Sequence, residues 1–119
     1  MSEDEPGALD IRGDASPRIL ICNAPPDRAE PIARALLEAR LAAGVNILPG
    51  VISLYWWKGE LCQSAESTLL IRTTREREAA VTQKILALHP YEVPEVSSLA
   101  LLPGEGNEAF LNWIRAWVK

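Results

Sequence analysis

Residues Val51 to Gly59 read Val-Ile-Ser-Leu-Tyr-Trp-Trp-Lys-Gly, and this stretch decides how the rest of the chain must be arranged. As an extended strand it carries apolar side chains on both faces, because successive side chains point to opposite sides. Val51, Tyr55 and Trp57 lie on one face, and Ile52, Leu54 and Trp56 lie on the other. A chain of 119 residues has little material to cover both faces. We therefore expect part of the cover to come from another chain.

The residues around this stretch predict a long hairpin. Val45 to Trp57 forms the first strand, interrupted by a turn or bulge at Pro49-Gly50. Lys58-Gly59-Glu60 reverses the chain, and Ser64 to Thr73 returns as the partner strand.

A strand and a helix are predicted before the hairpin. Arg18 to Ala24 is apolar on both faces, which is typical of a central strand. Asp27 fits an N-cap with Glu30 three residues later, and Gly44 fits the residue that ends the helix.

A helix, a strand and a final helix are predicted after the hairpin. Thr73 and Glu76 have the spacing of a capping box, and His89-Pro90 ends the helix that follows. Glu95 to Leu102 is predicted as the last strand, and Asn107 as the cap of the final helix. The order strand, helix, strand, strand, helix, strand is that of a ferredoxin-like α+β fold, here with an extra C-terminal helix.

The composition indicates one soluble domain. The chain is 48% apolar and 24% charged, and it is long enough for a single core. No apolar run approaches the ~18 residues of a membrane span, and the N-terminus is acidic where a secretory signal would be basic. We expect a cytoplasmic protein that does not bind membranes.

The charge lies mostly at the N-terminus. Residues 1–16 contain five acidic residues and one arginine, which accounts for the whole net charge of −4. We predict that residues 1–16 form a disordered acidic tail and that residues 17–119 form the domain. The neutral domain lacks the basic stripe that nucleic-acid binding requires, so we expect no nucleic-acid partner.

Few residues indicate chemistry. The common nucleophile, phosphate-loop and zinc-protease motifs are missing, so nothing supports an enzyme. His89 is the single histidine, and Cys22 lies in a predicted strand. The commoner roles are a helix C-terminal contact for His89 and core packing for Cys22. A thiolate and an imidazole would also suit copper or zinc if the fold brings them together.

Six segments between residues 18 and 118 resemble the divalent-cation tolerance family, CutA. They read Ile-Leu-Ile-Cys-Asn-Ala-Pro at 19–25, Leu-Ala-Ala-Gly-Val-Asn-Ile-Leu-Pro-Gly at 41–50, Ser-Leu-Tyr-Trp-Trp-Lys-Gly at 53–59, Leu-Ile-Arg-Thr-Thr at 70–74, His-Pro-Tyr-Glu-Val-Pro-Glu at 89–95, and Gly-Asn with Leu-Asn-Trp-Ile between 106 and 114. The segments occur in the family's order and register.

The resemblance implies a ferredoxin-like protomer in a homotrimer similar to the PII signalling proteins, with the Val51–Trp57 hairpin in the subunit interface. It also implies a non-enzymatic protein of metal-ion response that binds copper or another divalent cation. The family's metal positions correspond to Cys22 and His89 in this sequence. Leu88 replaces the first histidine of the family's pair, and Gly44 stands where the family often has cysteine.

A second hypothesis is a trimeric, PII-like sensor or scaffold. In this alternative a small anionic metabolite binds between subunits, using Arg72, Lys58, Glu66 and the loop from His89 to Glu95. A stable structural trimer without a ligand is the third alternative.

Overall fold

The computed structural model describes residues 11–119, which form four strands and three α-helices. The elements are β1 (Pro17–Ala24), α1 (Pro26–Glu38), β2 (Gly44–Trp57), β3 (Glu60–Thr74), a 3-10 turn (Arg75–Arg77), α2 (Glu78–Leu88), β4 (Ser97–Ala100) and α3 (Glu108–Trp117). The strands form one antiparallel sheet in the order β2-β3-β1-β4. This order and the helix positions confirm the predicted ferredoxin-like α+β fold.

The core lies between one face of the sheet and helices α1 and α2. Alternate residues of β1 and β3 point into it, with Leu20 opposite Ile71 and Cys22 opposite Leu69. The helices contribute buried aliphatic side chains at helical spacing, which are Ile32, Leu36, Val81 and Ile85. Cys22 is fully buried in this core, as its predicted packing role requires.

Helix α3 packs on the opposite face of the sheet. Arg72 points away from the core, because its neighbour Ile71 points into it. The Arg72 guanidinium lies 5.7 Å from the centre of the Phe110 ring in α3. The extra C-terminal helix therefore covers part of the sheet face that α1 and α2 leave open.

The hairpin of β2 and β3 is longer than the rest of the sheet. Strand β1 pairs with β3 only along Ser67–Thr74, so residues 51–66 extend past β1 as a two-stranded hairpin arm. The register shifts between Leu48 and Val51, where Gly50 has a φ of 73°. This confirms the predicted irregularity at Pro49-Gly50.

Apolar side chains on the hairpin arm are exposed in the protomer. The exposed fractions are 68% for Ile52, 66% for Leu54, 74% for Trp56 and 66% for Leu61. A row of large apolar side chains at this exposure is typical of a surface that another chain covers.

The end of α1 differs from the prediction. Gly44 does not end the helix: it opens β2, and the helix stops at Glu38. Arg40 takes the left-handed conformation with a φ of 60°, and the Leu41 N–H donates to the Leu36 carbonyl at 3.0 Å. This is a Schellman cap with Arg40 in the left-handed position, and its guanidinium lies 4.9 Å from the centre of the Trp117 ring. The predicted Asp27 cap is also wrong, since Asp27 lies within the helix and Pro25 is at the N-cap.

The start of α2 differs as well. Thr73 belongs to β3, and its hydroxyl donates to the Leu41 carbonyl at 2.6 Å, so it cannot cap a helix. A 3-10 turn at Arg75–Arg77 precedes α2 instead. The Arg75 N–H donates to the Ser16 carbonyl at 2.8 Å, and the Glu76 N–H donates to the Asp14 carbonyl at 3.0 Å.

Residues 11–16 of the predicted tail therefore contact the domain. The Gly13 N–H donates to the Glu76 carboxylate at 2.8 Å, and Asp14 lies 3.5 Å from the Arg75 guanidinium. The remainder of the predicted tail, residues 1–10, lies outside the described residues.

The structure of the C-terminal third agrees more closely with the predictions from the sequence. Helix α2 ends at Leu88, and His89 is extended with a ψ of 136°, as the following proline predicts. The Asn107 side chain accepts a hydrogen bond from the Ala109 N–H at 3.0 Å, which confirms the predicted cap of α3. The last strand is shorter than predicted, Ser97–Ala100 in place of Glu95 to Leu102.

None of the helices within residues 11–119 has the length and apolar content needed to span a membrane.

Candidate functional site

Cys22 lies near the end of β1, with its side chain in the core. Burial, together with smaller contributions from the carboxylates of Glu95 and Glu66, raises the pKa of the Cys22 thiol from its ordinary value of 9.0 to about 12. The thiol donates a weak hydrogen bond to the Asn23 carbonyl, with an Sγ to O distance of 3.7 Å. Cys22 is therefore a protonated, buried thiol at neutral pH.

His89 follows α2 directly and is 8% exposed. Its Nε2 lies 2.8 Å from the Asn23 carbonyl oxygen, and its Nδ1 lies 3.2 Å from the Tyr91 N–H. Because the Tyr91 N–H can only donate, Nδ1 accepts and Nε2 carries the proton that it donates to Asn23. The ring thus connects the end of α2 to the end of β1 and to the loop that follows.

The fold brings the two predicted ligand residues together. Both the Cys22 thiol and the His89 ring contact the same carbonyl oxygen of Asn23. Neither group is ready to bind a metal ion, since the thiol holds its proton and both ring nitrogens have hydrogen-bond partners. Within residues 11–119 no group of three or more histidine, cysteine, aspartate or glutamate side chains is arranged to hold a metal ion. As they stand in one protomer, the two residues do not form a complete metal site.

Leu88 and Gly44 both lie at packed positions. Leu88 is partly buried against the core. A Cβ atom added at Gly44 would lie 3.3 Å from the Trp113 ring, so that ring packs against the bare backbone of Gly44. A cysteine at this position would therefore have to displace Trp113.

Cys62 lies in the hairpin arm, where its thiol faces the Glu60 carbonyl at 3.8 Å.

A pocket opens beside this pair, between the hairpin arm and the loop that follows His89. Its volume is about 720 Å³. It is lined by Asn23, Ser53, Leu54, Tyr55, Trp56, Trp57, Glu66, Tyr91, Glu92, Val93 and Glu95. The prolines at 90 and 94 flank the loop and restrict its backbone. We call this cavity the arm pocket.

Hydrogen bonds fix the polar side chains of the arm pocket. The Tyr91 hydroxyl donates to Glu66 at 2.8 Å, and desolvation together with this carboxylate raises the pKa of Tyr91 to about 12. The Asn23 amide donates to Glu95 at 2.9 Å and accepts from the Thr68 hydroxyl at 2.6 Å. The pocket therefore has a preformed polar wall at the end of β1.

The arm pocket is acidic. Glu66, Glu92 and Glu95 line it, and the described lining includes no lysine, arginine or histidine. Lys58 is 3.8 Å from Glu92, with both side chains mostly exposed. Glu66, by contrast, is buried, with an exposure of only 5%.

The carboxylates lining the arm pocket disfavour an anionic ligand within one protomer, and the hypothesis of an anionic metabolite between subunits stays a prediction. Arg72, one of the cations invoked for it, lies six positions along β3 from Glu66, with its guanidinium over Phe110, and does not line the pocket. The second, Lys58, does not line the pocket, and its ammonium contacts Glu92 and the Trp57 ring at the rim. Glu66, the third residue of that hypothesis, would repel an anion.

Comparison with known proteins gives one consistent family. The model described as CutA1 divalent ion tolerance protein matches residues 18–117. The divalent-cation tolerance protein CutA of Thermus thermophilus is 46% identical over 87 residues, which are 73% of this chain and 82% of that protein. The CutA homolog of Xenopus laevis is 43% identical over 86 residues, and the chain spans only 56% of that longer protein.

Solved structures show the same fold. The divalent cation tolerance protein of Thermus thermophilus superposes with a TM-score of 0.82 at 39% identity, covering 87% of this chain and 99% of that one. The PII-like protein CutA of Nostoc, in its apo form, superposes with a TM-score of 0.81 at 34% identity. That superposition covers 86% of this chain and 97% of the Nostoc chain.

Proposed function

Because the chain belongs to the CutA1 divalent ion tolerance family, we propose that it is a homotrimeric, non-enzymatic cytoplasmic protein that binds copper or another divalent cation. Its role is then in the response to metal ions. The observation that carries the proposal is the convergence of Cys22 and His89 on one carbonyl oxygen, beside the carboxylates of Glu66 and Glu95.

The proposed ligands are Cys22 and His89. Metal binding by these two side chains requires two changes in the structure. A metal ion bound by both must displace the thiol proton and the hydrogen bond from Nε2 to Asn23. Thiolate and imidazole ligands favour soft or borderline ions such as copper and zinc. The two side chains leave coordination positions unfilled, and a neighbouring subunit of the trimer would complete them.

The test is a titration of the purified chain with Cu(I) and with Zn(II), which do not oxidise the thiol. Because one proton must leave Cys22, we expect the apparent affinity to rise about tenfold for each pH unit between pH 6 and pH 8. Calorimetry in two buffers of different ionisation enthalpy measures the released proton directly.

Matched variants identify the ligands. Cys22→Ser should weaken binding at least tenfold, while Cys62→Ser, which changes the hairpin thiol, should bind as the wild type does. His89→Gln keeps a donor for the Asn23 carbonyl and tests the imidazole with less structural disturbance than alanine. Equal affinity of Cys22→Ser, His89→Gln and wild type would remove both residues from the site.

The trimer is proposed from the apolar row on the hairpin arm. Each aromatic side chain covered by a partner removes ~150–250 Å² from water. Ile52, Leu54, Trp56 and Leu61 are all more than half exposed in the protomer. Three copies that bury these rows against one another would explain why the arm extends past the sheet.

A further inference from the structure

We infer that residues 11–16 form a strap that holds helix α2 closed on the sheet, and that α2 opens as one unit, together with His89, when the strap is released. These residues precede the part of the chain that the family model matches, which begins at residue 18. The strap is therefore not part of the segment that defines the family.

Helix α2 has few anchors of its own. It is 11 residues long, which is short of the ~12–15 residues that an isolated helix needs to persist in water. Val81 and Ile85 are its buried residues. Within residues 11–119, neither Thr74, before the 3-10 turn, nor Arg77, before the helix, makes a side-chain capping bond. Helix α2 therefore depends on contacts from other parts of the chain.

The strap supplies the missing cap. A helical segment begins with backbone N–H groups that have no partner inside it. The N–H groups of Arg75 and Glu76 donate instead to the carbonyls of Ser16 and Asp14 in the strap, at 2.8 Å and 3.0 Å. The Gly13 N–H donates to the Glu76 carboxylate at 2.8 Å. These bonds join the strap to the turn that leads into α2.

The strap is held in shape by its own side chains. The Asp14 carboxylate accepts from the Ser16 N–H at 2.9 Å and from the Ser16 hydroxyl at 2.5 Å, and it lies 3.5 Å from the Arg75 guanidinium. Gly13 has a φ of 77°, a left-handed conformation that glycine adopts without strain. Gly13 and Asp14 are therefore the positions at which a single substitution disrupts the strap.

A cavity lies between α2 and β4, beside the strap. Its volume is about 360 Å³, and Ile11 of the strap lines it together with Ala79 and Gln83 of α2. A cavity of this size deprives the helix of close side-chain packing on that side. Outward movement of α2 therefore breaks few apolar contacts there.

Two further ties reach α2 from neighbouring elements. Glu78, the first residue of the helix, lies 3.4 Å from the Arg18 guanidinium in β1 and accepts a hydrogen bond from Ser98 in β4. At the other end, the Arg28 guanidinium in α1 donates to the Leu88 carbonyl at 2.9 Å. Single polar contacts between side chains that water reaches contribute little stability. The strap, which makes several bonds at one place, is therefore the stronger anchor.

His89 lies at the far end of α2 from the strap. Its N–H donates to the Ile85 carbonyl at 2.8 Å, so the residue continues the hydrogen-bond pattern of the helix. Each helical turn supports the next, and loss of the first turn therefore destabilises those that follow. Local opening in proteins commonly involves such an element as a whole. We expect the loss of the strap to increase the opening of α2 along its length, including His89.

Hydrogen exchange at single amides, followed by NMR on the full chain, tests the inference. Gly13→Pro is the main variant, because proline has no N–H to donate to Glu76 and cannot adopt the positive φ of Gly13. We expect the amides of Val81, Ile85 and His89 to exchange at least tenfold faster than in wild type.

Two controls separate release of the strap from general damage. Gly104→Pro makes the same change at a glycine with the same φ of 77°, in the turn before α3, and should leave exchange in α2 as in wild type. The amides of Leu20 and Ile71, in the two central strands, should keep wild-type exchange in every variant. Asp14→Ala, which removes the carboxylate of the strap, is the second strap variant if Gly13→Pro does not fold.

Four results would overturn the inference. Unchanged exchange in α2 of both strap variants would show that other contacts hold the helix. Faster exchange confined to residues 75–80 would show that the strap caps only the first turn. Equal acceleration at Leu20 and Ile71 would show that the strap acts on unfolding of the whole domain. The same acceleration of α2 in Gly104→Pro would show that the effect does not belong to the strap.

Discussion

At the scale of single residues, burial of the Cys22 thiol makes the unfolding free energy depend on pH in the alkaline range. Its pKa is about 12 in the folded protein and 9.0 for an ordinary thiol, so the folded state holds the proton more tightly. This contribution is complete below pH 9 and is lost as the pH rises from 9 towards 12.

We therefore predict that wild type loses about 1 to 2 kcal/mol more unfolding free energy than Cys22→Ala does between pH 8 and pH 10.5. Urea denaturation at the two pH values measures the difference. Cys62→Ala is the control and should follow the wild type. A Cys22→Ala variant with the same pH dependence as wild type would contradict the prediction.

His89 provides a second residue-scale prediction. Alanine at this position leaves the Asn23 carbonyl and the Tyr91 N–H without their partner, so we expect a loss of about 2–4 kcal/mol in unfolding free energy. Glutamine places an amide N–H near the position of Nε2 and should recover at least a third of that loss. Gln83→Ala, an exposed change on α2, should have little effect. The same urea experiment compares the three variants, and an equal loss for alanine and glutamine would show that the donor is unimportant.

The sequence singles out Cys22 and His89 as candidate ligands, but it does not predict that Glu66 is buried. A thiol and an imidazole are rare and chemically distinctive, whereas a glutamate in a strand has the pattern of a solvated residue. Tyr91, 25 positions later in the chain, donates its hydroxyl hydrogen bond to the buried Glu66. That contact depends on where the loop after α2 returns to the sheet. Local sequence patterns do not predict this position.

At the scale of elements, the predictions succeeded where a proline or a side-chain cap acts locally. Asn107 caps α3 and His89-Pro90 ends α2, as predicted. They failed where a tertiary contact replaced the local signal. Arg40 takes the left-handed position after α1 with its guanidinium against Trp117, and the Thr73 hydroxyl donates to the Leu41 carbonyl.

The α3 cap gives a prediction at this scale. Asn107→Ala removes the acceptor of the Ala109 N–H and should lower the unfolding free energy by about 1 kcal/mol. Asn107→Asp keeps an acceptor and adds a negative charge at the helix N-terminus, so it should be at least as stable as wild type. Thermal unfolding followed by circular dichroism separates the two. Equal melting temperatures for the two variants would mean that the cap contributes nothing measurable.

At the scale of the whole molecule, the hairpin arm is the feature that the protomer does not explain. We predict that Trp56→Glu with Trp57→Glu gives monomer or aggregate in place of a trimer, because one charge would enter the apolar row at Trp56 and a second would lie beside it. Light scattering coupled to size exclusion measures the mass. Leu86→Glu, an exposed apolar position on α2, is the control and should leave the mass unchanged. A clean trimer from the double variant would place the arm outside the interface.

The sequence separation between paired strands also predicts the order in which the strands pair during folding. Strands β2 and β3 follow one another in the chain and are joined by a tight turn in which Lys58 and Gly59 both have positive φ, so their pairing is local. Strand β1 must wait for partners from far along the chain, since Arg18 pairs with Thr73 and with Ala100. The hairpin arm is thus ready to pair with neighbours before its own sheet closes, and newly made chains are most open to mispairing in that interval. Refolding yield should fall with protein concentration for this reason, and a dilute, slow refolding protocol should recover the most assembled protein.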